Sequence, residues 1–353
     1  MAKDFRVYFG SMGSGVFASS DGGHTFSQSA FRMPVPPWGP WIDVRAVEVS
    51  PHDPKLLLAG SHIGVHLSED GGKSFDYLPS PMHNKQVWAV SWHPTDPDLM
   101  FVGIAGWDTD YPLFRSKDRG KTWEQLPMFV SHFTPPIGAS HVTKIAVDPA
   151  DHDTIWVTCE IYGTFVSHDR GDSWKKITPL GSHVLYGDNH SVAVHPAGYV
   201  YVTSPLGIFV SWNRGESFER FNFPDVYPFD ETCWLPTALK MKQELNLTQY
   251  VRHIALNPKD PDVIFVGTGD NTPGVIGDVQ RSLDAGKTWE TCQLPARPNS
   301  HVNTVAVNPD LPGVVACASL YGQVYVSTDN GENWIKGKTD YGEIRGLAIG
   351  PAV

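Results

Sequence analysis

An eight-residue motif recurs seven times along the 353 residues, and this repetition constrains the fold more than any other feature. Most copies have the pattern Ser-x-Asp-x-Gly-x-Ser/Thr-aromatic, and successive copies lie 44 to 51 residues apart, except for one interval of 71. A fixed period of this length is typical of repeat architectures in which each repeat is one supersecondary unit. We therefore predict a single domain over residues 1–353, with an insertion in the long interval. The copies begin at Ser19, Ser68, Ser116, Ser167, Ser211, Ser282 and Ser327.

Short apolar runs around each motif indicate a unit of four strands. Runs of this length favour strands that are buried on both faces. The N-terminal unit lacks its first run, whereas the C-terminal run 344–351 has no strands after it. The sequence thus predicts an all-β fold, a seven-bladed β-propeller closed by a C-terminal inner strand joining three N-terminal strands, without free sheet edges at the closure. The first run of each unit ends at Pro51, Pro94, Pro149, Pro196, Pro258, Pro309 or Pro351.

The repeated motif resembles the Asp-box, or BNR, repeat of sialidases, xyloglucanase-type glycoside hydrolases, sortilin-type receptors and photosystem assembly factors. The resemblance covers nearly the whole chain and implies a β-propeller. Ser and Asp side chains can satisfy backbone N–H groups within a hairpin, Gly supplies positive φ, and the aromatic ring packs between sheets. We therefore expect the motif carboxylates to be structural. Asn213 replaces Asp in the fifth copy and keeps the accepting oxygen.

Composition and charge limit the partners and the compartment. A formal net charge of −11 without a Lys/Arg cluster argues against nucleic acid and anionic membranes as partners. The first twenty residues contain no signal-like pattern, so we expect a cytoplasmic protein. Oligomeric state stays open. Widely spaced cysteines favour buried free thiols over disulfides at Cys159, Cys233, Cys292 and Cys317.

Counting back from the seven prolines aligns the inner strands. The inner strands should start at one face of the propeller, which we call the top. The turns between second and third strands should lie on the same face, and the Asp-boxes on the opposite face, the bottom. The inner strands of a propeller converge on a central channel, which is the usual binding site. Eight residues before the proline stand Asp43, Gln86, His141, Asp188, Tyr250, His301 and Glu343. Six residues before it stand Arg45, Trp88, Thr143, His190, Arg252, Asn303 and Arg345.

These two sets supply the candidate functional residues at the top of the channel. A wetted channel mouth without a ligand is the alternative. The candidate catalytic residues are His141, His190, His301, Asp43, Asp188 and Glu343. The candidate substrate-binding residues are Arg45, Trp88, Tyr250, Arg252, Asn303 and Arg345.

Histidines from four blades are predicted at the channel mouth. Converging imidazoles can hold one divalent transition metal, with a carboxylate as a further ligand. Histidines that bond to backbone or water are the alternative. The candidate metal ligands are His62, His141, His190, His301 and Glu160.

Three of the residues six positions before the proline are arginines, namely Arg45, Arg252 and Arg345. Their shared position resembles the arginine triad of sialidases. Guanidinium groups facing a channel can bind a carboxylate, phosphate or sulfate. The alternative is that each arginine pairs with Asp43, Asp188 or Glu343. The same acids, with Asp108 and Asp110, could instead supply the two carboxylates of a glycosidase.

These features predict a hydrolase or lyase that acts on a small anionic or sugar-like molecule, with or without a metal. Xyloglucanase-type enzymes join two propellers into a long cleft, so one propeller favours a small substrate. The alternative is a non-catalytic scaffold for protein–protein interaction or complex assembly, as photosystem assembly factors and sortilin-type receptors imply. Residues 223–249 are predicted to form an inserted top-face loop with a short helix begun near Pro236, which serves as a lid, shields an edge or contacts another subunit.

Overall fold

The computed structural model describes residues 4–33, 39, 41–133, 138–177, 184–221, 223 and 250–353. The described strands form six four-stranded sheets and one five-stranded sheet, arranged as seven blades. The first blade contains β1 (Phe5–Ser11), β2 (Gly15–Ser19) and β3 (Ser27–Gln28). The second contains β4 (Ala30–Arg32), β5 (Val44–Val49), β6 (Leu57–Ser61), β7 (Gly64–Ser68) and β8 (Ser74–Leu78). The third contains β9 (Val87–Trp92), β10 (Met100–Ile104), β11 (Leu113–Ser116) and β12 (Glu124–Gln125).

The remaining blades repeat the same meander. The fourth contains β13 (Val142–Val147), β14 (Ile155–Cys159), β15 (Gly163–Ser167) and β16 (Lys175–Ile177), followed by a 3₁₀ turn (Val184–Tyr186). The fifth contains β17 (Ser191–Val194), β18 (Val200–Ser204), β19 (Gly207–Ser211) and β20 (Glu219–Phe221). The sixth contains β21 (Tyr250–Asn257), β22 (Asp260–Gly269), β23 (Gly277–Ser282) and β24 (Glu290–Thr291). The seventh contains β25 (Val302–Val307), β26 (Val315–Ser319), β27 (Val324–Ser327) and β28 (Ile335–Lys336), and β29 (Ile344–Pro351) ends the series.

The C-terminal strand closes the ring, as predicted. β29 pairs antiparallel with β1 from Phe5 opposite Pro351 to Ser11 opposite Ile344, and it contacts the inner strands β25 and β5 on either side. A Cβ on Gly10 would lie only 2.6 Å from Val44 Cγ1. The first and second blades can therefore approach this closely only because the position is glycine.

Each pair of neighbouring blades buries its own apolar layer. In the described part of the chain, seven clusters of buried hydrophobic residues each draw on two adjacent blades. The cluster between the fourth and fifth blades, for example, places Trp156 against Val192 and Phe209. This burial on both faces explains why the strands are continuous apolar runs rather than alternating ones.

The Asp-boxes are hydrogen-bonded turns, as expected. In the fourth copy, Ser167 Oγ accepts the Gly171 N–H at 2.8 Å and donates to Asp169 at 2.7 Å. Asp169 also accepts the N–H of Ser173 at 2.8 Å and its hydroxyl at 2.6 Å. Arg170 has a φ of 57°, so the residue before the glycine shares the left-handed region with it. Asn213 Oδ1 likewise accepts the Ser217 N–H at 3.0 Å, which preserves the fifth copy.

The predicted separation of faces is present. The Arg170 N–H donates to Asp153 O at 2.9 Å, which ties an Asp-box to the turn between the first and second strands. At the other end, the Glu160 N–H donates to His141 O at 2.9 Å, so a turn between second and third strands lies beside the start of an inner strand. The Asp-box carboxylates are therefore remote from the candidate catalytic positions.

β4 adds an unpredicted fifth strand to the second blade by pairing in parallel with β8, from Ala30 opposite Ser74 to Arg32 opposite Asp76. The predicted lid and helix at 224–249 lie outside the described residues, as does Cys233. The described cysteines, Cys159, Cys292 and Cys317, are free and buried. None of the described helical segments is long and apolar enough to cross a bilayer.

Candidate active site at the channel mouth

The inner strands enclose a central channel of about 570 Å³. Apolar side chains from positions nearer the proline line its lower part, and a ring of polar and aromatic side chains lies at the top. All seven residues six positions before the proline line this channel, namely Arg45, Trp88, Thr143, His190, Arg252, Asn303 and Arg345.

Three chemically active side chains meet at the mouth, between the fourth and fifth blades. One ligand atom from each of Glu160, Asp188 and His190 lies within 4.8 Å of the other two. Asp188 and His190 are buried, with 8% and 3% of their surface exposed, and Glu160 is half-buried. The sequence analysis named all three residues, Asp188 and His190 as catalytic candidates and His190 and Glu160 as metal ligands.

Asn189 explains why Asp188 and His190 are placed so firmly. Its side-chain oxygen accepts the hydroxyl of Thr164 at 2.9 Å, and its carbonyl accepts the hydroxyl of Thr143 at 2.8 Å. Asn189 is fully buried, so these bonds anchor the entry into the fifth blade to two strands of the fourth. The flanking residues then project into the mouth.

The hydrogen bonds of His190 define which ring nitrogen carries the proton. Its Nδ1 lies 3.0 Å from the carbonyl oxygen of Val251, which can only accept a hydrogen bond. A neutral ring must therefore carry its proton on Nδ1 and present a lone pair at Nε2. That Nε2 lies 3.2 Å from Asp188 Oδ1 and 3.5 Å from the hydroxyl of Tyr250. Two acceptor atoms, Nε2 and Oδ1, thus face each other in the buried mouth.

Glu160 lies between two cationic or potentially cationic groups. Its carboxylate oxygens are 3.8 Å from His141 Nε2 and 3.8 Å from Arg252 Nη1. Arg252 also donates to the Tyr250 hydroxyl at 3.3 Å. Although burial acts to lower it, the neighbouring Tyr250 and Glu160 raise the pKa of Arg252 above its usual range. Burial raises the pKa of Tyr250 to about 12, so its hydroxyl stays protonated.

An aromatic stack forms one wall of the mouth. The rings of Trp88 and His141 are stacked with centroids 4.3 Å apart, and exposed Trp107 lies against the same histidine. Burial lowers the pKa of His141, although Glu160 acts in the opposite direction. A neutral imidazole sandwiched in this way is suited to packing and to accepting a proton.

The three arginines have unequal partners. Arg345 forms an ion pair with Glu343, and Arg252 has Glu160 nearby. Arg45 instead lies over the Trp88 ring at 4.8 Å, and its Nε is buried without a hydrogen-bond partner among the described residues. No described carboxylate lies within salt-bridge distance of Arg45. Burial, and then the charge of Arg345, lower the pKa of Arg45.

Several predicted residues have partners elsewhere. His62 Nδ1 accepts the Asp43 N–H at 3.1 Å, and Asp43 itself accepts the Gly13 N–H at 2.8 Å. His301 Nδ1 lies 2.9 Å from Pro273 O and its Nε2 lies 3.0 Å from Asn303 Oδ1. Burial lowers the pKa of His301 to about 4.

These contacts separate the predicted metal ligands into those that lie together and those that do not. Glu160 and His190 share a cluster with Asp188, whereas His62 and His301 are directed to other partners and His141 stacks on Trp88. The candidate acids of the third blade also point elsewhere, since Asp108 pairs with Lys85 and Asp110 with His132. A linear sequence gives the blade of each residue but not the direction of its ring or carboxylate.

The channel interior holds three ionisable residues that the sequence analysis missed, Glu48, Lys144 and His253. Burial raises the pKa of Glu48 to about 7, with Lys144 acting against it, and burial lowers the pKa of His253 well below its usual value. The sequence contained a signal for them. They stand three or five residues before the proline, where the other inner strands carry only Ala, Ser, Thr or Gly.

The fold and the repeats define the class of protein: the chain is a seven-bladed β-propeller whose blades each carry a motif that resembles the Asp-box. Residues 113–126 match the family model described as BNR-Asp box repeat. A probable oligoxyloglucan-reducing end-specific xyloglucanase of Neosartorya fischeri is 23% identical over 314 residues, which cover 73% of this chain and 35% of that protein. The chain thus spans about a third of the length of this curated relative.

Solved structures share the fold. The GH74 xyloglucanase from Xanthomonas campestris superposes with a TM-score of 0.69 at 16% identity, covering 98% of this chain and 52% of that one. The structure of YCF48 bound to D1 peptide has a TM-score of 0.51 at 15% identity and covers 87% of both chains. At these identities the likeness concerns the fold.

The comparisons contradict the cytoplasmic location predicted from the sequence. An uncharacterized membrane glycoprotein of Saccharomyces cerevisiae is 24% identical over 156 residues, covering 42% of this chain and 32% of that protein. The extracellular domain of a one-component system from B. thetaiotaomicron has a TM-score of 0.57 at 14% identity, covering 86% of this chain and 35% of that one. The prediction was wrong because the first twenty residues alone do not determine the compartment.

Proposed function

We propose that the protein is a hydrolase that cleaves a glycosidic bond in a small, anionic, sugar-like molecule at the top of the channel. One observation carries this proposal: Glu160, Asp188 and His190 converge within 4.8 Å at the mouth. Two carboxylates that flank a reacting bond are the groups glycoside hydrolysis most often requires. Several matching relatives are named xyloglucanases, which supports a glycosidic substrate.

The reaction can be assigned to these groups. A water molecule attacks the anomeric carbon while Glu160 accepts one of its protons. The bond from that carbon to the leaving oxygen breaks, and a cation bound by Asp188 and His190 would stabilise the oxygen as it departs. The proton then passes from Glu160 to the leaving oxygen, so the two products together contain the elements of water.

The arginines supply the specificity for an anion. Arg45 forms no ion pair with a described carboxylate, and its Nε has no hydrogen-bond partner among the described residues. It lies near the like charge of Arg345 as well as the opposite charges of Asp43 and Glu343. A carboxylate or sulfate on the substrate would relieve this repulsion and form charge-assisted hydrogen bonds. A channel of about 570 Å³ is consistent with a small substrate rather than a polysaccharide chain.

The proposal is tested with a panel of aryl glycosides that differ only in charge. Each sugar is supplied in neutral form, as its uronic acid and as a sulfate ester, and release of the aryl alcohol is measured. We expect turnover confined to the anionic members, with KM raised at least ~10-fold by Arg45→Gln because a charge-assisted bond is lost. Failure to hydrolyse any member, or equal use of neutral and anionic sugars, would contradict the proposal.

The competing function is a protein-binding scaffold, and an exposed aromatic surface favours it. Trp107, Tyr111, Phe129 and Phe133 are 56%, 42%, 50% and 66% exposed. Exposed apolar surface of this kind is typical of interaction sites, and the YCF48 structure includes a bound peptide. The double variant Phe129→Ser and Phe133→Ser distinguishes the two functions. If the protein is a hydrolase, the double variant keeps its turnover of aryl glycosides. If the protein is a scaffold, it has no such turnover, and the double variant loses binding of the partner peptide.

A further inference from the structure

The structure points to a metal site, and we propose that Glu160, Asp188 and His190 together bind one divalent transition-metal ion of the zinc or manganese class. The inference deepens the proposed function, on which it rests for the role of the ion. The ion would be the cation bound by Asp188 and His190.

His190 is arranged as a metal-ligating histidine. Its Nδ1 donates to the backbone carbonyl of Val251 at 3.0 Å, which fixes both the tautomer and the ring orientation. A ligating histidine almost always has such an outer partner, and the opposite nitrogen then faces the ion. Only 1% of the His190 side chain is exposed, and the described protein partners of Nε2 are Asp188 Oδ1 and, at 3.5 Å, the Tyr250 hydroxyl.

Asp188 directs an unsatisfied oxygen at the same point. Its Oδ1 is buried and has no hydrogen-bond partner among the described residues, although His190 Nε2 is only 3.2 Å away. When His190 is neutral, both atoms present lone pairs and their contact is repulsive, so the pair requires a positive charge, which a proton on Nε2 or a bound metal ion supplies. Leaving a buried carboxylate oxygen unpaired is costly, and a bound cation removes the cost.

Distance and ligand chemistry favour a transition metal. Around an ion with bonds of about 2.1 Å, neighbouring ligand atoms lie roughly 3 to 3.5 Å apart. The Asp188 to His190 distance already falls in this range, and one ligand atom of half-buried Glu160 lies within 4.8 Å of both. Two carboxylates neutralise a divalent ion and are also suited to manganese, whereas the imidazole favours zinc over calcium or magnesium, which prefer oxygen ligands alone.

Nearby groups are arranged to support such an ion. His141 and Arg252 each lie 3.8 Å from a Glu160 oxygen, so both are near enough to orient that carboxylate. The Tyr250 hydroxyl, 3.5 Å from His190 Nε2, is positioned to bond to water on the ion. Three protein ligands leave coordination positions for water or a substrate oxygen, as catalytic metal sites require.

Binding is measured directly, without turnover. The full chain is stripped with a chelator and titrated with Zn²⁺, Mn²⁺, Co²⁺, Mg²⁺ and Ca²⁺ by calorimetry, and the visible spectrum of the Co²⁺ form is recorded. We expect one transition ion per chain, and at least ~10-fold weaker binding by Asp188→Asn and His190→Gln, because even outer partners of a ligand contribute that much. Glu160→Gln, at a half-buried turn position, gives a third variant if the buried ones fail to fold.

Asp110→Asn is the matched control. Asp110 also contacts a histidine, His132, with a distance of 2.7 Å, but in an exposed loop. Its substitution should leave the affinity and the Co²⁺ spectrum unchanged. Absence of stoichiometric binding at millimolar ion, equal affinity for Mg²⁺ or Ca²⁺, or unchanged affinity in all three site variants would overturn the metal site.

The metal site and the hydrolase proposal can fail separately. Full hydrolytic activity in chelator-treated, metal-free protein would overturn the metal site and leave the hydrolase proposal standing. Stoichiometric metal binding without hydrolysis of any glycoside would support the site and count against the proposed reaction.

Discussion

Asp188 Oδ1 lies 3.2 Å from His190 Nε2, and the other ring nitrogen of this histidine is already committed to the carbonyl oxygen of Val251. Two buried acceptors in contact destabilise the folded protein unless a proton or a metal ion joins them. Such arrangements occur where function, rather than stability, selects the residues. The pair therefore makes a direct prediction about folding.

In metal-free protein, Asp188→Asn should maintain or raise the thermal midpoint. When His190 is neutral, the new amide N–H can donate to its Nε2, which replaces a repulsive contact with a hydrogen bond worth about 0.5–1.5 kcal/mol. Hydrolysis should fall at the same time, because a carboxylate is lost. Thermal denaturation monitored by circular dichroism checks the prediction, and a clear fall in the midpoint would show that Asp188 is a stabilising residue.

Arg45→Gln should abolish stabilisation of the protein by sulfate. Arg45 is partly buried beside Arg345 and lacks a carboxylate partner among the described residues, so an added anion should bind there. We expect the variant to bind sulfate at least ~10-fold more weakly, the loss of one charge-assisted interaction. Arg6→Gln is the control, since Arg6 donates to Gly71 O and Val353 O on the bottom face.

The Asp-boxes should affect stability but not chemistry. Asp169→Ala removes the acceptor for the N–H and hydroxyl of Ser173, which should lower the free energy of unfolding by about 1–3 kcal/mol. Urea denaturation measures this loss. Turnover and ligand affinity should stay at the level of the unmodified protein, because the turn lies on the opposite face from the mouth. A selective loss of turnover at full stability would place the active site on the wrong face.

The same turn predicts an acid dependence. Hydrogen bonds from Ser173 and Ser167 lower the pKa of Asp169 to about 2, whereas an unfolded Asp has a pKa of about 3.9. This contribution is present above pH ~4 and is lost as the pH falls towards 2, when the carboxylate is protonated in the folded state. An NMR titration of the carboxyl carbon checks the value, and Asp169→Asn should weaken the fall of the thermal midpoint over this range.

The fold was predictable because its signals are local and repeated. The motif chemistry, the terminal prolines and the unmatched C-terminal run together determine seven blades and their closure, and β29 pairs with β1 as expected. The parallel edge strand β4 was not predictable, since three residues in a loop carry no period.

The sequence could predict which residues lie at the channel mouth, but not which way their side chains point. Alignment on the prolines placed Asp188, His190 and Arg45 at the mouth. It could not show that His301 turns to Pro273 or that Glu160 turns to Asp188, because ring and carboxylate orientations depend on hydrogen bonds between blades. Asn189, which anchors the site, was overlooked because a buried amide between two functional residues has no periodic signature.

Deletion of residues 343–353 should largely abolish soluble folded protein. β29 supplies the inner strand of the first blade and packs against both neighbouring inner strands, so its loss exposes strand edges and apolar surface on the first blade. Size-exclusion chromatography and circular dichroism of the truncated chain check this. A truncated protein with an unchanged thermal midpoint would refute closure by the C-terminal strand.

The most direct test of the account is the rate at which Glu160→Gln and Asp118→Asn hydrolyse an anionic aryl glycoside, compared with the unmodified protein. Glu160 accepts the proton of the attacking water, whereas Asp118 accepts hydrogen bonds from Thr122 in an Asp-box on the opposite face. Loss of general-base catalysis typically costs 10²–10⁴-fold, so we expect kcat to fall by about 100-fold or more in Glu160→Gln and to be unchanged in Asp118→Asn. Equal turnover by Glu160→Gln and the unmodified protein would contradict an active site at the channel mouth.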